Sequence, residues 1–325
     1  VALGQKQKSE QQEGQIEIRD LNEKYRDIGH QIKQVVVEPE VLKAELKSEK
    51  KAEKATAKAA KKKRGKAADE AEEGRKRLFV LNFDGDIKAS ATDNLREEIS
   101  AVLLQVRDGD EFLVKVESPG GMVHGYGLAA SQLKRIRDAG VPLTIAVDKV
   151  AASGGYMMAC VANRIVAAPF AVIGSIGVLA QLPNFHRLLK KHDIDFELFT
   201  AGEYKRTVTM FGENTDKGRE KFAEELEETH GLFKDFVSAN RPSVDIAKVA
   251  TGEIWYGQKA LEVGLVDELQ TSDAFLQSRL KDWDVFDVRF VHKKNWQEKL
   301  GLAAEGAMEK AFLRIWQKGQ ERSNY

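Results

Sequence analysis

Three short stretches in the middle of the chain combine residue types that could perform acyl-transfer chemistry. They are Ser118-Pro119-Gly120-Gly121, Ala152-Ser153-Gly154-Gly155 and Gly202-Glu203-Tyr204-Lys205-Arg206. The middle stretch places a hydroxyl at the start of an apolar helical pattern, and its glycines leave bare backbone where a substrate carbonyl can approach. Together the three stretches predict a serine hydrolase with a lysine base.

Each group in these stretches has a predicted role. A serine hydroxyl needs a base to remove its proton, and the intermediate needs donors aimed at the new oxyanion. We predict that Ser153 attacks, that Lys205 accepts the proton, and that the backbone N–H groups of Gly120 and Gly154 hold the oxyanion. A lysine serves as base only when neutral, which requires its pKa to fall from about 10.4 towards about 7 or 8. Ser175 is the candidate hydroxyl that holds the amine.

Small and apolar residues surround the predicted nucleophile, so we expect a shallow pocket that prefers small apolar residues before the cleaved bond. His186 and His192 are too far apart to share a helix face, and no histidine pair has the spacing of a metal site. His124 is interpreted as a helix-surface residue. We therefore expect no metal and no other cofactor. The predicted pocket residues are Gly121, Met122, Ile173, Ile176 and Val178.

The composition divides the 325-residue chain into unequal parts. Residues 1–77 carry 20 Lys/Arg against 15 Asp/Glu and one aromatic residue, whereas residues 78–325 carry 31 against 36. One domain of about 200 residues with appendages fits this length. We predict a basic, Ala/Lys-rich arm over 1–77, a catalytic domain over 78–292, and an amphipathic segment over 293–325 for packing or oligomerisation.

The basic excess is steepest from Lys43 to Lys66, with 11 basic and 3 acidic residues. Such a segment cannot bury a core, and it is either a solvated linker or a polybasic stretch attracted to anionic lipid. Nucleic acid is not an expected partner, because no aromatic residues interleave the lysines. The chain opens at Val1 without an apolar leader, so we expect that a preceding segment was removed. Cys160 reads as a buried small hydrophobe.

From Leu78 onward, apolar strand patterns alternate with helical ones. This order predicts an α/β fold with a largely parallel sheet under helices. Helices are expected from residue 92 or 93, and over 128–137, 153–161, 184–191, 215–238 and 258–263. Strands are expected over 78–83, 112–116, 142–147, 164–168, 172–179, 196–200 and 266–269.

The segments 117–121, 148–160, 174–177 and 202–207 resemble peptidase family S49, the signal peptide peptidase A family. The resemblance implies a Ser/Lys dyad of Ser153 and Lys205 in a ClpP/crotonase-like fold, cleaving apolar or membrane-derived peptides or misfolded envelope proteins. It also implies a homo-oligomer, as a tetramer or octamer, in which neighbouring subunits share the dyad. Finally, it implies a single-pass N-terminal anchor, absent from this chain, in the bacterial inner membrane.

Other function classes share parts of this pattern. Crotonase-like acyl-CoA enzymes have the strand, the small-residue helix and the glycine-backed oxyanion hole, but they need neither a serine nucleophile nor a distant lysine. ClpP-like proteases use a histidine near the place where this chain has Ser175, which speaks against a triad here. A non-enzymatic scaffold of the same fold is a further alternative, which reaction of Ser153 with a fluorophosphonate would separate from an enzyme.

Overall fold

The computed structural model describes residues 14–45, 47–48, 51 and 75–292. Residues 18–289 form one compact unit, and the described residues 14–17 and 290–292 belong to another. Within the described residues, no helix combines the length and the apolar content needed to span a membrane. The predicted segment 293–325 and most of the basic stretch lie outside the described residues.

Ten strands are described. They are β1 (Gly14–Asp20), β2 (Lys76–Asp84), β3 (Glu111–Glu117), β4 (Leu143–Val147), β5 (Val150–Ala152), β6 (Arg164–Ala167), β7 (Val172–Gly174), β8 (Ile254–Tyr256), β9 (Glu268–Leu269) and β10 (Trp283–His292).

The larger sheet has seven strands in the order β1-β10-β2-β3-β4-β6-β9. Every pairing from β10 through to β9 is parallel. Strand β2 buries Leu78, Val80, Leu81 and Phe83 almost completely. A continuous apolar run of this kind is typical of a parallel strand covered on both faces.

Nine helices are described. They are α1 (Leu21–Val36), α2 (Thr92–Leu103), α3 (Val123–Asp138), α4 (Gly154–Ala159), α5 (His186–Lys191), α6 (Asp216–Asn240), α7 (Ile246–Val249), α8 (Gly257–Glu262) and α9 (Ser272–Arg279). A short helical stretch over residues 39–45 also follows α1. Helix α3 packs against both α2 and α4. The side chain of Thr215 caps the long helix α6 by accepting the Gly218 N–H at 3.1 Å.

A small second sheet, in the order β5-β7-β8, positions the candidate site. Strands β5 and β7 are parallel, and β7 and β8 are antiparallel. Ser153 comes directly after β5 and Ser175 directly after β7. An isolated parallel bridge between Ser118 and Ala151 links β5 to the end of β3. The sheet therefore brings three separate loops to one place.

The α/β class with a largely parallel sheet flanked by helices is confirmed by this architecture. The predicted strand at 196–200 is wrong, because residues 194–200 form neither strand nor helix. Phe196 and Leu198 alternate as in a strand, but no described strand lies beside them to complete a ladder. The strand predicted over 172–179 ends at Gly174.

Candidate active site

Ser153 occupies a strained turn between β5 and α4. Its backbone has φ 50° and ψ −118°, a region that L-residues rarely adopt. The Ser153 N–H donates to the Gly174 carbonyl at 2.7 Å, which fixes the turn against β7. Strain of this kind costs roughly 1–3 kcal/mol and is found mainly at functional sites. The side chain of Ser153 makes no capping hydrogen bond to α4, so it leaves the first N–H groups of this helix available.

The Ser118–Gly121 loop lies directly against this turn. The Ser118 N–H donates to the Val150 carbonyl at 2.8 Å, and the Ala152 N–H donates to the Ser118 carbonyl at 3.0 Å. A Cβ added to Gly120, which has φ +92°, would lie 2.7 Å from both the Ser153 Cβ and the Gly154 nitrogen. Only glycine fits at this position. The structure therefore brings together the first two stretches singled out in the sequence.

The N–H of Gly120, predicted as an oxyanion donor, has a partner within the chain. It donates to the Ser118 Oγ at 3.1 Å. The Ser118 hydroxyl is completely buried and also hydrogen-bonds the Tyr126 hydroxyl at 2.5 Å. The sequence pattern gave no sign of these hydroxyl contacts, because Tyr126 occupies an apolar position of an amphipathic helix and reads as a core residue.

A cavity of about 900 Å³ opens beside these loops. Both Ser153 and Ser175 line it, and Ser175 also has a positive φ, of 51°. The Ser175 N–H donates to the Glu253 carbonyl at 2.8 Å. The volume is in the range of pockets that hold small ligands or short peptide segments.

Three of the five predicted pocket residues line this cavity, namely Gly121, Met122 and Val178. Ile173 and Ile176 are fully buried and are not among its lining residues. One wall comes from α6, the long helix that the sequence predicts over 215–238. The α6 residues on this wall are Thr229, Leu232, Phe233 and Phe236.

Lys205 lies in an exposed loop and does not line the cavity. Its backbone N–H donates to the Gly202 carbonyl at 3.2 Å. The neighbouring Glu203 pairs with Lys217 at 2.6 Å, and this hydrogen bond lowers the pKa of the Glu203 carboxyl. A single chain, as described, thus supplies the predicted nucleophile and its surrounding loops to the cavity but not the predicted base.

No histidine of the described chain is among the residues that line this cavity. His124 is exposed on α3, as the sequence predicted. His230 on α6 has its Nε2 3.2 Å from the Ile176 carbonyl, a contact that ties α6 to the loop after Ser175. Within the described ranges, no group of three or more His, Cys, Asp or Glu side chains is arranged to hold a metal ion.

Two family models and several bacterial relatives match this chain. The family model described as Peptidase family S49 matches residues 135–285, and that described as Peptidase family S49 N-terminal matches residues 1–133. A protein of Haemophilus influenzae named "Probable protease SohB" is 54% identical over 305 residues, covering 94% of this chain and 86% of the relative. A namesake in Buchnera aphidicola, from Acyrthosiphon pisum, is 52% identical, covering 75% of this chain and 73% of the relative.

Among solved structures, this chain is similar to a mutant of the 1510-N membrane-bound stomatin-specific protease in complex with a substrate peptide. The TM-score is 0.42 at 12% sequence identity, and the match covers 70% of this chain and 96% of the other.

Proposed function

Because the chain belongs to peptidase family S49 and is a serine protease, we propose that Ser153 is its nucleophile and Lys205 the base that takes its proton. This membership confirms the resemblance carried by the sequence motifs. One observation carries the assignment of the nucleophile: Ser153 sits on a strained turn at the wall of a large cavity, with the glycine loop packed against it. No other serine of the three stretches combines these features.

The proposed reaction follows from this geometry. The Ser153 Oγ attacks the carbonyl carbon of the scissile peptide, and its proton passes to the neutral lysine amine. The oxyanion is held by the Gly154 N–H at the start of α4 and by an N–H of the Gly120–Gly121 turn. The lysine then protonates the leaving amine, and water hydrolyses the acyl-enzyme by the reverse sequence of proton transfers.

Lys205 reaches the cavity, in this proposal, from a neighbouring copy of the chain in a homo-oligomer. The support is its exposure and its absence from the cavity lining of its own chain. The segment around it also exposes large apolar side chains, including Ile194 and Phe199, which favours burial against another subunit. Ser175, on the cavity wall, is proposed to orient the arriving amine by a hydrogen bond.

The proposed substrate is an extended apolar peptide with a small residue before the cleaved bond. Gly121, Met122 and Val178 line the cavity with Ser153 and offer small or apolar surface, and the aromatic side chains of α6 add to the apolar lining. Charged residues at the position before the bond would lose hydration without a partner. A peptide library in which the best sites carry Lys or Asp at this position contradicts this specificity.

Alanine variants test the dyad. Ser153→Ala and Lys205→Ala should each reduce peptide cleavage by about 10³-fold or more, because the members of such a unit fail together. Ser175→Ala should cost about 10- to 100-fold, since a supporting group orients rather than reacts. Ser131→Ala and Lys134→Ala, at exposed positions on α3, are the matched controls. A Lys205→Ala protein with near-normal turnover contradicts the assignment of the base.

We also propose that the protease works at the bacterial inner membrane through a single-pass anchor in the full-length protein. The lysine-rich stretch from Lys43 to Lys66 supports this, because clustered basic residues are attracted to anionic lipid. Flotation of this chain with vesicles containing phosphatidylserine, compared with neutral vesicles, measures the contribution of the basic stretch. Equal binding to both vesicle types contradicts an electrostatic role for it.

A further inference from the structure

A short chain of buried hydrogen bonds runs beneath the Gly120–Gly121 turn. The Gly120 N–H donates to the Ser118 Oγ at 3.1 Å, and the Ser118 Oγ lies 2.5 Å from the Tyr126 hydroxyl. The Tyr126 hydroxyl donates to the Asp86 carbonyl at 2.7 Å. Ser118 and Tyr126 are both completely buried. Removing either hydroxyl would leave a buried polar group without its partner.

The two end groups of this hydrogen-bond series, the Gly120 N–H and the Asp86 carbonyl, determine the direction of every hydrogen bond in it. A backbone carbonyl only accepts, so the single Tyr126 proton points to Asp86. The Ser118 hydroxyl must then donate to the Tyr126 oxygen, and it accepts the Gly120 N–H, which only donates. Burial raises the pKa of the Tyr126 phenol, so it remains a neutral donor. The hydrogen-bond series therefore has a single arrangement of its protons.

Tyr126 also contacts the nucleophile side of the site. A Cβ added to Gly154 would overlap the Tyr126 side chain at Cγ, Cδ2 and Cβ. The ring in turn packs edge-on against Phe83, with centroids 6.2 Å apart. One side chain thus abuts the residue that carries the first oxyanion donor, and through Ser118 it also holds the turn that carries the second.

We propose that Tyr126, acting through Ser118, is a positioning residue that sets the separation of the two oxyanion donors. The inference rests on the proposed function, since it assigns the two donors to Gly154 and to the Gly120–Gly121 turn. Its effect is confined to the step in which the oxyanion forms, because neither Ser118 nor Tyr126 lines the cavity.

The test is the kinetics of Tyr126→Phe, Ser118→Ala and the double variant. Each single change should lower kcat by about 10- to 100-fold, with KM within about threefold of the unmodified enzyme, because ground-state binding does not use these groups. The double variant should lose about as much as either single one, since both interrupt the same chain. A peptide boronate, whose tetrahedral adduct carries the oxyanion, should lose affinity in proportion to kcat.

Tyr156→Phe is the matched control. Tyr156 is also completely buried and donates its hydroxyl to the Leu265 carbonyl at 2.9 Å, but it makes no hydrogen bond to the Gly120–Gly121 turn. It should lose a similar amount of thermal stability with less than about a threefold change in kcat. The proposal is overturned if Tyr126→Phe and Tyr156→Phe lower kcat equally, or if the losses appear in KM, or if they add in the double variant.

The proposed function fails in a different way. If Ser153→Ala retains cleavage, the nucleophile is misassigned whatever Tyr126 does. If Ser153→Ala is inactive while Tyr126→Phe and Ser118→Ala keep full kcat, only the positioning role is wrong. Ser118→Ala serves as the second route to the same answer if Tyr126→Phe does not fold.

Discussion

The two members of the proposed dyad lie in regions of the chain that are built very differently. Around Ser153, side chains such as Ser118 and Tyr126 are completely buried, and backbone hydrogen bonds tie three loops together. Around Lys205, every residue from 190 to 206 is exposed, including the apolar ones, and Phe199 is 87% exposed. The nucleophile side is thus completed within one chain, whereas the base side presents a surface that one chain leaves uncovered.

The exposed region still has internal order. Phe211 stacks on Phe185 with centroids 6.0 Å apart and lies 5.8 Å from Phe196. The Asn184 amide donates to the Thr209 carbonyl at 2.9 Å and closes the segment on itself. A locally folded segment that exposes large apolar side chains is typical of a contact surface rather than of a solvated loop. We therefore expect that assembly of subunits, and not folding of one chain, brings Lys205 to the cavity.

The largest expected effect is the recovery of activity when two inactive variants are mixed. Ser153→Ala chains keep the lysine and Lys205→Ala chains keep the serine, so a complete dyad forms only across an interface. After co-refolding at equal amounts, about a quarter of the sites should be complete, given random mixing in a ring of like subunits. Peptide cleavage by oligomers shown by mass to be mixed measures this.

The same experiment has an outcome that contradicts a dyad shared between subunits. If mixed oligomers stay inactive, both residues act within one chain, and the exposed region must fold back onto its own cavity. Oligomers of each variant alone, refolded in the same way, provide the background rate.

The next largest effect is on assembly, through the exposed apolar side chains of the region around Lys205. Phe199→Asp should weaken assembly and lower cleavage by about 10-fold or more at low protein concentration, because a desolvated charge opposes the interface. Phe170→Asp, at an 85% exposed aromatic outside this region, is the control. Light scattering follows assembly, and thermal unfolding should be the same for both variants. Equal losses in the two variants would show that the region around Lys205 has no special role.

The region around Ser153 was predicted from the sequence better than the region around Lys205, for physical reasons. Strands β2 and β3 and the long helix α6 follow from local hydrophobic periodicity, which their burial then satisfies. The approach of Gly120 to Ser153 was expected from the proposed chemistry, because an oxyanion hole needs bare backbone beside the attacking hydroxyl. The alternation at Phe196 and Leu198 failed as a strand prediction because a ladder needs a neighbour that the sequence cannot supply. The hydrogen bonds of Tyr126 were hidden for a similar reason, since they depend on residues far along the chain.

A third effect is on the free energy of unfolding. An added methyl group should lower it at the tightly packed Gly154 and raise it at the open Gly231. Gly154→Ala places a methyl group into the Tyr126 ring, and overpacking of this kind should lower the free energy of unfolding by about 1–3 kcal/mol. Gly231→Ala, on α6 where an added Cβ meets nothing within 4 Å, should raise it by about 0.5–1 kcal/mol. Denaturant titration of both variants checks the signs. A neutral Gly154→Ala would mean that the nucleophile side is less tightly packed than described.

The smallest expected effect on activity comes from Cys160, which lies one residue beyond the end of α4. Its thiol is completely buried and donates to the Met157 carbonyl at 3.2 Å, and burial raises its pKa to about 12. Cys160→Ala should therefore leave kcat/KM within about twofold, because the thiol touches neither cavity nor dyad.

The reactivity of the Cys160 thiol does, however, measure how tightly the region around Ser153 is closed compared with the region around Lys205. At pH 8 a thiol with the raised pKa has about a thousandfold less thiolate than a free one, so iodoacetamide should modify Cys160 only as the chain unfolds. In a Phe199→Asp, Cys160→Ala background, the exposed change Ala201→Cys should react at the rate of a free thiol. Because the folded state favours the neutral thiol, the stabilisation from Cys160 is complete below the pKa of the unfolded thiol and is lost as the pH rises towards about 12. Modification of native Cys160 at the rate of the residue-201 thiol would mean that the nucleophile side opens as freely as the region around Lys205, and the contrast between them would be lost.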